Sequence, residues 1–137
     1  MTILQRDDEI KVLLERTRTI AVVGLSDNPA RDSYQVARYL MDHDYVIYPV
    51  NPRITSFMGL TSYPSLEMIR QPVDLVDVFR RPEHLPALVE SALRIEAKGV
   101  WTQLGVSHPA AAARAASAGL AVVMDRCIMV EHSRLVL

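Results

Sequence analysis

Thr19-Ile20-Ala21-Val22-Val23-Gly24-Leu25-Ser26-Asp27-Asn28-Pro29-Ala30-Arg31-Asp32-Ser33 is the stretch on which the fold turns. Its first five residues form an apolar run of strand length, and Gly24 ends it. An uninterrupted apolar run, rather than an alternating one, is expected of a parallel strand covered on both faces. A glycine directly after the strand permits a tight turn that a side chain would obstruct. The following loop is small and polar, and Ser33 stands where the N-cap of a helix is expected.

The same alternation extends outward from this stretch. Before it, Asp7 to Arg16 sets Ile10, Val12, Leu13 and Leu14 among charges at helix-like spacing. After it, Ser33 to His43 reads as a helix carrying Val36, Leu40 and Met41, and Tyr45 to Val50 as a second strand stopped by Asn51-Pro52. Pro64 to Ile69 suits a short helix with proline in its first turn. Val73 to Phe79 is a third strand, Pro82 to Ala97 a long helix and Gly99 to Leu104 a fourth strand. An alanine-rich helix from Pro109 to Ala118 closes on Gly119, a fifth strand runs from Leu120 to Met124, and a last helical turn lies near the C-terminus. The pattern predicts an α/β, Rossmann-like, doubly wound sheet of about five mostly parallel strands with helices on both faces. It is read as one domain over residues 1–137, with no internal repeat. In such sheets ligands bind beyond the C-terminal ends of the strands, where the strand order reverses.

Composition narrows the function. Of 137 residues half are hydrophobic and 23% charged, and the formal net charge is -1. That balance gives no general attraction to nucleic acid or to an anionic membrane surface. The first residues are too charged for a signal peptide, and no apolar run approaches the roughly 20 residues that span a bilayer, so a cytoplasmic address is expected. Cys127 is the single cysteine, which excludes an internal disulfide framework and a cysteine-based metal cluster. His43, His84, His108 and His132 lack metal-ligand spacing. His43 reads as a surface residue, His108 as a helix start near the strand ends, and His132 as a structural contact. Asp74 and Asp77 are three residues apart on a strand, hence on opposite faces, and do not make an acid–base pair. Asp125 and Arg126 read as an internal ion pair. No Ser-His-Asp set or paired carboxylates stand out, and no catalytic residues are assigned.

The loop after the first strand carries phosphate chemistry. Gly24 and the small Ser26 keep the backbone approachable, the free amides of a helix terminus at Ser33 point to the strand ends, and Arg31 adds a charge-assisted donor. Together they can hold a pyrophosphate. The loop is not the dinucleotide fingerprint G-x-G-x-x-G, which needs glycine where Ser26 and Pro29 stand. Nor is there an acidic residue after the second strand to grip a ribose hydroxyl. Val50-Asn51-Pro52-Arg53 stands there, and an arginine favours a ribose phosphate. NAD is disfavoured on that count, while NADP is not.

Several further blocks follow in order: Tyr48-Pro49-Val50-Asn51-Pro52, Asp77-Val78-Phe79-Arg80-Arg81-Pro82, Val100-Trp101-Thr102-Gln103-Leu104-Gly105, and Val123-Met124-Asp125-Arg126-Cys127-Ile128-Met129-Val130-Glu131-His132. With Val22 to Ser26 and Pro29-x-Arg31-x-Ser33-Tyr34, this chain resembles the stand-alone CoA-binding domain family, whose members are similar to the N-terminal domain of the succinyl-CoA synthetase α subunit. The resemblance implies CoA as ligand, lying across the strand ends. Gly24, Ser26, Asn28 and neighbouring amides would face its pyrophosphate, with Arg31, Ser33 and Tyr34 close by. Asn51, Pro52 and Arg53 would bracket the adenosine and its 3′-phosphate. Phe79 and Arg80 would border the adenine or the pantetheine arm, and Trp101, Gln103 and Gly105 would line the thiol end.

Two departures bear on function. The synthetase subunit's second domain, with its phosphorylated histidine, has no counterpart up to Leu137, and the first loop keeps a single glycine, so ligase chemistry does not transfer. The expectation is a protein that binds CoA or an acyl-CoA without a catalytic centre of its own and acts as carrier, sensor or partner subunit. The alternative is an NADP-dependent reductase or an acyl-CoA-handling enzyme using Cys127 or His108. A thiol just past the fifth strand can face the strand-end cleft and exchange with the CoA thiol. A homodimer or another protein partner is compatible with this size.

Overall fold

A computed structural model describes residues 3–137. The elements are α1 (Asp7–Arg16), β1 (Thr19–Val23), α2 (Asp32–Asp42), β2 (Val46–Val50), β3 (Ser56–Phe57), β4 (Leu60–Thr61), β5 (Leu75–Val78), α3 (Leu85–Arg94), β6 (Gly99–Thr102), α4 (Pro109–Ser117), β7 (Ala121–Val123) and α5 (Ile128–Leu135). Five strands form one sheet in the order β2-β1-β5-β6-β7, every pair parallel. Strand order therefore reverses between β1 and β5, the position at which a doubly wound sheet opens a crevice.

The two faces sort the side chains by simple alternation. Ile20 and Val22 of β1, Leu75 of β5, Trp101 of β6 and Val123 of β7 face a core closed by Ile10 and Leu14 of α1, Val36, Ala37 and Leu40 of α2, and Ile128 of α5. Ala21, Val23, Val76, Val78, Val100 and Val122 face the other core, closed by Leu85, Val89 and Ala92 of α3 and the alanines of α4. The alanine-rich α4 is thus a close-packed helix: four small side chains, Ala111, Ala112, Ala115 and Ala116, are buried. Gly119 ends it at φ 100, with Leu120 N–H donating to Ala115 O at 3.0 Å and Gly119 N–H to Ala116 O at 3.1 Å, a Schellman closure.

Several boundaries differ from the sequence reading. The helix after the first loop begins at Asp32 with Arg31 at the N-cap and no side-chain cap. Ser33 lies one residue inside the first turn, so its hydroxyl serves the loop instead. Only a 3-10 turn, Leu66–Met68, forms between Pro64 and Ile69, and a second one, Pro82–His84, precedes α3. The β3–β4 hairpin carries no Asn-Gly or Asp-Gly signal; Met58 and Gly59 at φ 47 and 81 make its two-residue turn. The last helical turn is a two-turn helix, α5. It packs on α1 and α2, and Arg134 bridges Asp7 and Glu131.

Candidate functional site

The C-terminal ends of β1, β2 and β5 converge on a polar cavity of about 580 Å³, lined by Gly24, Ser26, Asp27, Arg31, Asp32, Ser33, Asn51, Arg53, Ile54 and Phe79. Backbone geometry explains why it lies there. Gly24 N–H is held by Val50 O at 2.8 Å and Phe79 N–H by Val23 O at 2.8 Å, so the β1 and β5 loops leave the sheet side by side. At Gly24, with φ +85, a β-carbon would stand 2.4 Å from Phe79 O and 3.0 Å from Arg80 Cδ. Any side chain there would collide with the backbone that follows β5.

The first loop is self-supporting. Ser26 N–H donates to Ser33 Oγ at 3.0 Å, Asn28 N–H to Ser26 Oγ at 3.0 Å, and Ala30 N–H to Asn28 Oδ1 at 3.0 Å. Asn28 shapes the loop without lining the cavity. Because Arg31 caps with backbone alone, the amides of Asp32, Ser33 and Tyr34 have no intrahelical acceptor and face the cavity end of α2. The wall from β2 is fixed by Asn51, whose Nδ2 donates to Leu25 O at 3.0 Å while its Oδ1 accepts from Arg53 N–H at 2.9 Å. Arg31 and Arg53 are exposed and enter no ion pair among the described residues. Asp27 and Asp32 offset their charge, so an anion would be held by directed amide and guanidinium donors rather than by a positive field. The sequence reading did not include these two aspartates or Ile54.

A second, apolar cavity of about 280 Å³ adjoins the first and shares Asp32 and Phe79 with it. Its other walls are Gln35, Val36, Gln103, Leu104, Cys127, Met129 and Val130. Three contacts stitch the β6 and β7 loops together here. Gln103 Oε1 accepts from Ile128 N–H at 3.1 Å, Thr102 O from Arg126 N–H at 3.1 Å, and Asp125 Oδ1 from Gly105 N–H at 2.8 Å. Asp125 is therefore engaged with Gly105 rather than with Arg126. Arg126 pairs instead with Glu131 at 3.0 Å, so the expected Asp125–Arg126 pair does not form.

Of the remaining candidates, Trp101 is 0% exposed and donates its Nε1–H to Arg126 O at 2.7 Å, which puts it in the core below the second cavity instead of on its wall. Tyr34 packs edge-on against Phe57, ring centroids 4.9 Å apart, and Pro52 is an exposed turn residue; neither lines a cavity. Arg80 is half-buried beside Gly24. His108 is the N-cap of α4, its Nδ1 accepting from Ala111 N–H at 3.1 Å, as its helix-start position suggests. His132 accepts or donates a 2.9 Å hydrogen bond with Tyr39 Oη, and burial and the neighbouring His43 hold its pKa down. His43 is half-buried against Tyr39 rather than a plain surface residue. No group of three or more His, Cys, Asp or Glu able to hold a metal occurs among the described residues. None of their helices is long and apolar enough to cross a membrane.

Sequence reasoning set Asp77 aside as half of an absent acid–base pair. It is 0% exposed at the centre of the sheet, between Val22 and Trp101, and neither carboxyl oxygen has a hydrogen-bond partner. Burial drives its pKa well above the usual carboxylate range. Asp74, at the opposite end of the strand, accepts instead from Arg18 N–H at 2.9 Å and Thr19 N–H at 3.2 Å.

Residues 18–133 match the model of the CoA binding domain family. The chain belongs to that family. It is 43% identical over 125 residues to the protein YneT of Bacillus subtilis (strain 168), covering 91% of this chain and 93% of that one. A solved structure of a hypothetical protein from Pyrococcus horikoshii OT3 superposes with a TM-score of 0.94 at 37% identity, covering 100% of this chain and 98% of that one. An acetate–CoA ligase [ADP-forming] of Methanocaldococcus jannaschii is 26% identical over 94 residues, 69% of this chain but 13% of the ligase. The likeness is thus to a small part of that enzyme.

Proposed function

We propose that this CoA-binding family chain binds CoA or an acyl-CoA reversibly, without a catalytic centre of its own, as a carrier, sensor or partner subunit. The observation that carries the reading is the pairing of two adjoining cavities of opposite character along the strand ends. A molecule with a phosphorylated, charged head and a long, weakly polar arm fits that order. The head would meet the α2 amides, Arg31 and Arg53, while the arm would pass Phe79 toward Gln103 and Leu104. Gly24, bare of a side chain, lets the β1 loop pack directly on the Phe79 backbone at the cavity wall, where loop amides remain open to the approach of a diphosphate.

Arg53 belongs to this reading as partner of the ribose 3′-phosphate. Isothermal titration with CoA, NADP and NAD in parallel tests it, repeated with Arg53→Ala. Binding of CoA that weakens in the variant supports the assignment. Binding of NADP alone would replace it with a reductase.

A further inference from the structure

We propose that Cys127 is a covalent attachment point for the CoA thiol, formed by thiol–disulfide exchange with a CoA disulfide. The inference rests on the CoA reading above and names what the far end of that site does. Cys127 lines the second cavity, where an arm running from the phosphate cavity past Phe79 would end.

The cysteine does not carry the inference alone. Gln103 lines the same cavity and is only 6% exposed. Its Oε1 is fixed by Ile128 N–H, the residue next to Cys127, so the orientation of the amide is set. Its Nε2 makes no hydrogen bond among the described residues, yet it is not sealed from solvent as the Asp77 oxygens are. Gln103 is thus a largely buried side chain on the cavity wall whose amide donor has no protein partner, and an acceptor in the cavity would pair it. The amide carbonyls of a pantetheine arm are such acceptors. Leu104 and Val130, 68% and 54% exposed, form apolar lips over the same cavity and would be covered by that arm.

The exchange balances without a further reagent. The Cys127 thiolate attacks one sulfur of the CoA disulfide, the old S–S bond breaks, and a new one joins Sγ to the CoA sulfur. The other half leaves as a thiolate and takes up the proton that Cys127 released. The disulfide is the oxidant, and any small thiol reverses the step. Holding the attacking and attacked sulfurs in one cleft raises their effective concentration, which a disulfide lacking the CoA head would not share.

The test is intact-mass and peptide-mapping spectrometry of the full chain exposed to CoA disulfide or glutathione disulfide at equal concentration. The expected result is a dithiothreitol-reversible CoA adduct on Cys127, absent in Cys127→Ser, forming at least about tenfold faster than the glutathione adduct. Desulfo-CoA should slow the CoA reaction, and Arg53→Ala should narrow the advantage of CoA disulfide over glutathione disulfide. Equal rates with the two disulfides, or no protection by desulfo-CoA, would overturn the proposal. Calorimetric titration of Cys127→Ser with CoA separates the two levels. Binding without a preferential adduct in the wild type removes the attachment alone, whereas absence of CoA binding in both proteins removes the underlying reading too.

Discussion

Gly24 and Phe79 approach so closely that a β-carbon on the glycine would stand 2.4 Å from the phenylalanine's backbone oxygen. The oxygen belongs to a strand end pinned by Phe79 N–H on Val23 O and cannot withdraw as a flexible side chain would. With φ at +85, any L-residue is strained there before the contact is counted. Gly24→Ala is expected to cost about 2–4 kcal/mol of stability, read as a lowered urea midpoint. Where the variant still folds, the β1 and β5 loops must part, and calorimetry should find CoA binding weakened.

Arg53 is exposed and unpaired among the described residues, so its removal exposes the function of the site with little structural damage. Arg53→Ala should leave stability within about 0.5 kcal/mol of the wild type. Its effect should fall on one phosphate. The wild type should prefer CoA to dephospho-CoA, and in the variant the two affinities should converge, with a loss on CoA of about 1.5–3 kcal/mol. An equal loss on both ligands would move the arginine to the diphosphate.

α3 ends on Glu96 at φ 58, with Ala97 N–H donating to Ala92 O at 3.0 Å and Glu96 N–H to Leu93 O at 3.1 Å. This is the closure that Gly119 provides for α4, made here by a residue with a β-carbon. Glu96→Gly should stabilise the chain by about 0.5–1 kcal/mol, the left-handed strain removed exceeding the added freedom of the unfolded glycine. A thermal midpoint raised by a few degrees would show it.

The sheet was legible because Thr19–Val23, Val46–Val50 and Leu75–Val78 are short runs, apolar but for Thr19 and Asp77, bounded by glycine, proline or polar loops, a signal that depends on local sequence alone. The first cavity was largely legible for the same reason: Gly24, Ser26, Arg31, Ser33, Asn51, Arg53 and Phe79 all lie at strand ends or just beyond. The second was not. Met129 and Val130 reach it from α5, and Gln35 and Val36 from α2, so it exists only once two helices distant in sequence dock on one sheet face. Trp101 misled for a related reason. Alternation put it on the same face as Gln103, but depth along the strand, which alternation does not report, seals it beneath α5 and the Arg126 carbonyl. The β3–β4 hairpin was hidden because Met58 occupies a left-handed position that sequence patterns reserve for Asn, Asp or Gly.

Asp77 gives the clearest pH prediction. Its carboxyl lacks partners on both oxygens inside an apolar face, so the neutral acid is the form the folded chain tolerates. Burial raises its folded-state pKa well above the unfolded value, which for aspartate is about 3.9. Between those two values the folded chain keeps a proton that the unfolded chain has released. Its contribution to stability is therefore whole below about pH 4 and declines as pH rises toward the folded-state pKa. Asp77→Asn keeps the shape and removes the titration. The variant should match the wild type within about 0.5 kcal/mol near pH 4 and exceed it by about 1–3 kcal/mol at pH 8. Urea unfolding of both proteins across that range reads the difference. Parallel profiles would mean that the buried carboxyl finds a partner in solution, and Asp77 would then be a satisfied core residue rather than a source of strain at the centre of the sheet.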